Sequence, residues 1–311
     1  MKKYLYVFNY PPEQEHLCQL EFKYLFHQLW VSKYYITETD ISIDQSAFIK
    51  AKIDILAMST NLKELIAELY TLKLDYLDFK VIYFKNEITH VDYKESLLWC
   101  KDISWAIEGS VNMSKPKHTF ALTKVEDMFI FGYYHHGVPS WKAQDNKPYT
   151  FSNSLDIKLA RTLVNIACEN KPNVRIVDPC CGVGTVVLEG LALKQDIEGF
   201  DISREISFQA RKNLEYYEYD KYLVNKVSIH DLDKYYDVAI IDMPYNLYTP
   251  ITYEEQCAII TSARKICGRL ILVAHEDMTK EINRAGFLII DTCILKKSNY
   301  CKFQRIIYVC I

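Results

Sequence analysis

Three acids and one glycine-rich turn carry most of the chemistry in this chain. Asp242-Met243-Pro244-Tyr245 follows the apolar run at residues 237–241. An acid, a proline and an aromatic at a strand end form a pocket for a planar amine. The Asp242 carboxylate accepts a hydrogen bond from an exocyclic NH2 group. The Met243 carbonyl accepts a second, and the Tyr245 ring offers a stacking face. Pro244 pushes Met243 toward extended backbone, which helps aim that carbonyl.

Upstream, residues 174–190 read VRIVDPCCGVGTVVLEG. An apolar strand enters Asp178-Pro179, then Cys180-Cys181-Gly182-Val183-Gly184-Thr185, and a helix follows. Glycines allow a sharp turn and let a ligand approach backbone. The loop lacks the Gly-Lys-Ser/Thr of a P-loop, and Val187 stands where G-x-G-x-x-G needs its last glycine. The next strand, residues 196–200, ends in Asp201, an acid placed to accept both hydrogen bonds of a ribose diol. Strand, glycine loop, helix, strand and acid describe a nucleoside-cofactor site, against the plainer reading of a βαβ unit with an incidental turn. Asp231, in SIHDLDKYY, is a candidate for the cofactor's base edge; a solvated turn acid is the competing reading.

These residues need a parallel sheet to hold their loops at one edge. Apolar runs at 175–177, 196–200, 238–241, 270–274 and 287–290, several separated by helical stretches, predict one. Ser154 is placed as the cap of a helix carrying Leu155, Leu159, Ala160, Leu163, Val164 and Ala167 on one face. Residues 286–295 and 305–310 predict a hairpin at the sheet edge. Ahead of this lie a strand at 3–9, a helix at 13–30, strands at 32–39 and 53–59, a helix capped by Asn61, and a strand at 79–85. That βαββαβ order is ferredoxin-like. A helix over 94–107 and strands at 119–123 and 128–134 follow, and 137–148 reads as a linker.

Composition bounds the rest. Of 311 residues, 50% are hydrophobic and 25% charged, which excludes global disorder. The formal charge of −3 excludes a polycationic nucleic-acid binder, so any such contact must be local. The chain carries 24 Tyr, which either pack or stack. Its 10 Cys form no C-x-x-C, no metal-ligand spacing surrounds them, and free thiols suit a reducing cytoplasm. No metal is implied. No secretory signal and no membrane span are expected. Pro179-Cys180 suggests a Cys nucleophile of the cytosine-C5 type, but its place in the cofactor loop favours plain packing. His135-His136 is an RNA-contact candidate with a structural alternative. His275-Glu276-Asp277 either borders the pocket or caps a helix. Lys115, Lys117, Lys124, Lys142, Lys147, Lys158 and Arg161 outnumber the acids near them, which suggests phosphate contact.

From about residue 148 onward the chain resembles class I S-adenosylmethionine-dependent methyltransferases of the amino-methylating type. DPCCGVGT resembles their D-P-x-x-G-x-G-T loop, GFD their ribose motif and DMPY their D-P-P-Y catalytic motif. KPYTFSNSLDIKLARTLVNIA resembles the segment ahead of the core in THUMP-associated tRNA guanine-N2 methyltransferases. KVEDMFIFGYYHHGVPSWKAQDNKPY resembles the join to their N-terminal region. The resemblance implies an α/β chain with three parts: an α+β ferredoxin-like or reduced THUMP region that binds RNA at 1–135, a linker at 136–150, and a Rossmann-like methyltransferase domain at 151–311. It implies S-adenosyl-L-methionine as cofactor, held by Asp178, Pro179, Cys180, Gly182, Gly184, Thr185, Asp201 and Asp231. Asp242, Met243, Pro244 and Tyr245 become the catalytic residues, and guanine N2 in tRNA the acceptor. Adenine N6 in DNA is the runner-up, and a non-catalytic RNA-binding relative is a third reading, which the intact DMPY disfavours. A protein partner subunit stays open. The chain departs from the family at Met243, which replaces the first proline, and at Asn246, where relatives often have glycine.

Overall fold

The computed structural model describes residues 2–136, 146–150, 154–245, 251–296 and 304–311. The chain forms two compact units. One is built from Met1–Asn9, Val31–Ile43 and Phe48–Val138, the other from Tyr10–Trp30, Asp44–Ala47 and Pro139–Ile311. Among the described residues, no helix is long and apolar enough to cross a membrane.

The chain opens with β1 (Lys3–Phe8) and α1 (Glu15–Phe26), followed by β2 (Tyr34–Thr37) and β3 (Ile49–Ser59). Then come α2 (Leu62–Leu72), β4 (Leu74–Tyr83), α3 (Tyr93–Ser104), β5 (Ile107–Val111), β6 (His118–Val125) and β7 (Met128–His136). The strands make one sheet in the order β2-β1-β3-β7-β6-β4-β5. Asn61 caps α2 as expected, its Oδ1 accepting from the Lys63 N–H at 2.9 Å. The helices α2 and α3 cover one face through Leu65, Leu69 and Ile103 against Phe79, Phe120 and Phe131.

The six elements expected to form a ferredoxin-like unit do not close on themselves. The hairpin β6–β7 is inserted between β3 and β4, so later strands complete the sheet. The expected first helix is also absent from this unit. α1 buries Leu17, Leu20, Phe22 and Leu25 as part of the other unit, so the first 135 residues are not one contiguous domain.

The second unit continues with α4 (Ile157–Cys168), β8 (Arg175–Asp178), α5 (Thr185–Ala192), β9 (Asp196–Asp201), α6 (Arg204–Tyr216), β10 (Val224–Lys226) and β11 (Tyr236–Asp242). It ends with α7 (Tyr253–Ile266), β12 (Cys267–Ala274), α8 (Thr279–Arg284), β13 (Ile289–Lys296) and β14 (Gln304–Cys310). The sheet order is β10-β9-β8-β11-β12-β14-β13. The first five strands run parallel, and β14 enters antiparallel between β12 and β13. The predicted edge hairpin is present, with β13 as the edge. The central strands β11 and β12 are buried along nearly their whole length, which is why they read as unbroken apolar runs.

A buried polar network fastens the N-terminal helix within this unit. Glu21 of α1 accepts from the Asn165 side-chain amide at 2.8 Å and the Ala47 N–H at 3.1 Å, and also from the Ser46 hydroxyl. Arg161 of α4 pairs with Glu189 of α5, both buried, and donates through Nε to the Asp44 carbonyl at 2.9 Å. Lys147 is buried as well, and Lys117 pairs with Asp78 at 2.9 Å. Of the basic residues picked from the sequence, Lys147 and Arg161 are thus buried and not offered to a phosphate, while Lys142 and most of the expected linker lie outside the described residues. Asp156, not Ser154, caps α4, accepting from the Leu159 N–H at 2.8 Å.

Candidate active site

The reversal of strand order between β8 and β11 opens a crevice at the carboxyl ends of the strands, where open α/β sheets bind ligands. A cavity of about 580 Å3 lies there. It is lined by Asp178, Cys180, Gly182 and Thr185 from the loop after β8, by Asp201 after β9, and by Asp242, Met243, Pro244 and Tyr245 after β11. The three separate sequence signals thus meet in one space.

The loop is shaped by two left-handed glycines. Gly182 has φ +53°, and a Cβ there would meet nothing within 4 Å, so its backbone is open to a ligand. Gly184 has φ +83° and faces α6, where a Cβ would lie 3.4 Å from that of Ala210. Gly184 serves the turn and the packing, and it does not line the cavity. Pro179 is buried in the same turn and does not line it either. Asp201 ties the loop to its neighbour: one carboxylate oxygen accepts from the Gly182 N–H at 3.1 Å, the other from the Ser203 N–H at 2.8 Å. Each oxygen keeps a further lone pair for a ribose hydroxyl. Asp231 ends a short 3-10 turn, is exposed, and lies outside the cavity lining.

Electrostatics define what the cavity can hold. Burial lifts the Asp178 carboxyl well above its ordinary value, and the nearby Asp242 and Asp201 push it the same way. Burial also raises Asp201, against the two backbone bonds it accepts. Burial raises Asp242 to about 7, with Arg305 pulling the other way. Asp242 Oδ1 is buried and has no hydrogen-bond partner among the described residues; the same holds for Thr185 Oγ1. Among the described residues, no Lys, Arg or His lines this cavity. Three crowded carboxyls, with no basic side chain in the described lining, suit a cationic ligand. Thr185 opens α5 and offers a hydroxyl beside the helix's free N–H groups, a place for an anionic group.

The setting of the two thiols beside them disfavours the thiolate. Burial pushes Cys180 and Cys181 well up, and the adjacent acids add to it. A nucleophile must be a thiolate, so the geometry speaks against a Cys attack.

The turn after β11 is held from several sides. The Met243 N–H donates to the Val273 carbonyl at 2.8 Å, extending the ladder to β12. Gln256 Nε2 donates to the Pro244 carbonyl at 2.9 Å. The Tyr245 and His275 ring centroids lie 3.9 Å apart. His275 Nδ1 donates to the Gln304 carbonyl at 2.8 Å, and burial lowers its affinity for a second proton. His275 and Glu276 line a smaller cavity of about 190 Å3 that shares Met243 and Tyr245 with the first. The sequence's alternatives divide here: His275 and Glu276 border the pocket, while Asp277 accepts from the Thr279 N–H at 2.9 Å as a local turn acid. His135, in the first unit, lies 3.2 Å from Asp54 and reads as structural.

Several lining residues escaped sequence reasoning. Thr150, Ser154 and Leu155 reach the cavity from the segment ahead of α4, and Ile202 and Ile206 from the start of α6. Asn213 fixes that first segment. Its side chain accepts from the Tyr149 N–H and donates to the Tyr149 and Val183 carbonyls, all at 2.9 Å. A fully buried Asn on the Ala210–Leu214 face of a helix is the signal that could have found it.

Residues 145–250 match the family model described as UPF0020, an RMKL-like methyltransferase domain. This part of the second unit is thus similar to a methyltransferase domain. Its sequence is similar to tRNA (guanine(10)-N2)-dimethyltransferase of Methanothermobacter thermautotrophicus, 31% identical over 103 residues, covering 32% of this chain and 30% of that protein. The protein of the same name from Pyrococcus abyssi is 27% identical over 112 residues, covering 34% and 33%. The chain thus spans about a third of the length of these curated relatives. TrmN from Thermus thermophilus shares the fold over 99% of both chains, with a TM-score of 0.50 and 13% identity. The cavity lined by Asp178, Asp201 and Asp242 lies within the second unit, at the strand ends where open α/β sheets bind ligands.

Proposed function

We propose that this chain transfers a methyl group from S-adenosylmethionine to the exocyclic N2 of a guanine in tRNA. The observation that carries the reading is Asp242. It is a buried carboxyl with an unpartnered oxygen, in the same cavity as Asp201 and beside the Met243 carbonyl. Guanine is favoured because both curated relatives are named for guanine-N2 methylation of tRNA.

When bound, the cofactor would supply an electrophilic methyl group on a sulfonium whose neutral thioether is the leaving group. The chain's own residues do the rest. Asp201 accepts from the ribose hydroxyls, and the Gly182 backbone lets the ligand lie close. Asp178 would hold the cationic end of the ligand, and Thr185 with the α5 N-terminus would hold its carboxylate. Asp242 and the Met243 carbonyl each accept one N–H of the base amine, which turns the nitrogen lone pair toward the methyl group. Nitrogen gains positive charge as the bond forms, and the adjacent Asp242 carboxylate stabilises it and takes the surplus proton. Tyr245 stacks on the ring. In this reading the first unit docks the tRNA, and binding by the full chain should then weaken steeply with salt.

The test is mass spectrometry of nucleosides from tRNA and from DNA after incubation with the full chain and cofactor. Methylguanosine in tRNA supports the reading. N6-methyladenine in DNA would replace it.

A further inference from the structure

We infer that Gln256 is a positioning residue for the amine-holding turn, fixing the Pro244 carbonyl so that the Met243 carbonyl is left aimed at the acceptor. The inference rests on the proposed role of Asp242–Tyr245. It starts from the residue by which this chain departs from D-P-P-Y. A proline at position 243 would lock its own φ and carry no N–H. Met243 locks nothing, so the turn needs its stiffness from elsewhere. The structure supplies two ties. Upstream, the Met243 N–H that a proline would lack donates to Val273 of β12 at 2.8 Å. Downstream, Gln256 Nε2 donates to the Pro244 carbonyl at 2.9 Å. The Met243 peptide is thereby clamped between a strand and a helix, with its side chain 2% exposed.

The helix end that carries Gln256 is itself well fixed. Thr252 and Glu255 form a reciprocal capping box at the start of α7, with bonds of 3.2 Å and 2.7 Å. Gln256 follows directly, is half-buried, and lines the smaller cavity together with Tyr245 and His275. The bond has a second consequence. Of the two consecutive carbonyls after Asp242, the one at Pro244 already accepts one bond from Gln256, which fixes its direction and leaves it one lone pair.

The experiment is Gln256→Leu in the full chain, a substitution of similar size without a donor. A displacement of about 1 Å at a reacting group costs up to roughly a hundredfold in rate. The inference expects kcat for tRNA methylation to fall ten- to a hundredfold. The KM for tRNA, the affinity for S-adenosylhomocysteine and the melting temperature should stay within about twofold or a few degrees. Gln256→Glu should fall similarly at pH 8, where its carboxylate repels the carbonyl. It should gain on Gln256→Leu as the pH drops and the acid regains a proton to donate. Amide hydrogen exchange at Met243 should quicken in Gln256→Leu with or without tRNA. Wild-type turnover in Gln256→Leu, a matching loss of S-adenosylhomocysteine affinity, or unchanged exchange at Met243 would each overturn the inference. If the wild-type chain methylates no tRNA, the proposed function fails by itself, and the exchange measurement still decides whether Gln256 stiffens the turn.

Discussion

Asp242 holds its proton to about pH 7 in the free protein, against an ordinary value of 3.8, because burial disfavours its charge. The amine must be met by a carboxylate, so kcat/KM should rise with pH through about 7, read from initial rates across pH 5.5–8.5. A bound cation in the same cavity favours the ionised acid, so the kcat profile should turn at lower pH. Stability runs in the opposite direction. The folded state binds this proton more tightly than the unfolded chain does. The cost of ionising Asp242 is therefore absent below about pH 4, grows between 4 and 7, and is complete above. It amounts to up to roughly 4 kcal/mol. Asp242→Asn should melt higher than wild type at pH 8, by roughly 2–4 °C per kcal/mol recovered, and show no gain at pH 4. An equal gain at both pH values would mean that the carboxylate is not strained.

Asp201 makes a sharper binding prediction. In the proposed role, Asp201→Ala would remove two charge-assisted hydrogen bonds to the ribose, each worth roughly 1.5–3 kcal/mol. Calorimetry with S-adenosylhomocysteine should show a weakening of at least tenfold in a folded protein. Cys180→Ser should keep its turnover, because burial keeps that thiol protonated. At this scale the sequence was informative where chemistry and strand ends coincide: Asp178, Gly182, Asp201 and Asp242 meet in one cavity. It did not point to Thr150, and it read Ser154 as a helix cap, whereas both line the cavity, and Asn213 holds the neighbouring Tyr149.

Among the elements, the parallel strands were legible because burial on both faces leaves an unbroken apolar run. α1 was legible as a helix but not as a member of the methyltransferase unit. Its apolar face, with Leu17, Phe22 and Leu25, would read the same against either sheet. The distinguishing residue is Glu21, a buried acid whose partners lie at residues 46, 47 and 165, too far along the chain for local pattern to pair them. Arg161 is a similar case, since a lone basic residue on a helix reads as surface until Glu189 and the Asp44 carbonyl are seen around it. Arg161→Met should destabilise by about 3–5 kcal/mol, the cost of stranding a buried partner charge. Chemical denaturation would measure it. A loss below 1 kcal/mol would mean that Glu189 is neutral or rehydrated in the variant.

For the whole molecule, the split of the N-terminal 135 residues changes what truncation can test. A chain reduced to residues 136–311 would lose α1 and residues 44–47 together with the first sheet. It would strip Asn165 of Glu21 and Arg161 of the Asp44 carbonyl, so loss of activity would report on folding as much as on tRNA docking. The first unit is better probed in the full chain, by the salt dependence of tRNA binding. The most direct test of the account joins both units in one assay. The purified chain is incubated with tRNA and S-adenosylmethionine, and the nucleosides are resolved by mass spectrometry for wild type and for Asp242→Ala. The account predicts N2-methylated guanosine from wild type, and none from Asp242→Ala, which still binds S-adenosylhomocysteine with wild-type affinity. Methylation on adenine, or N2-methylated guanosine formed equally by Asp242→Ala, would contradict it.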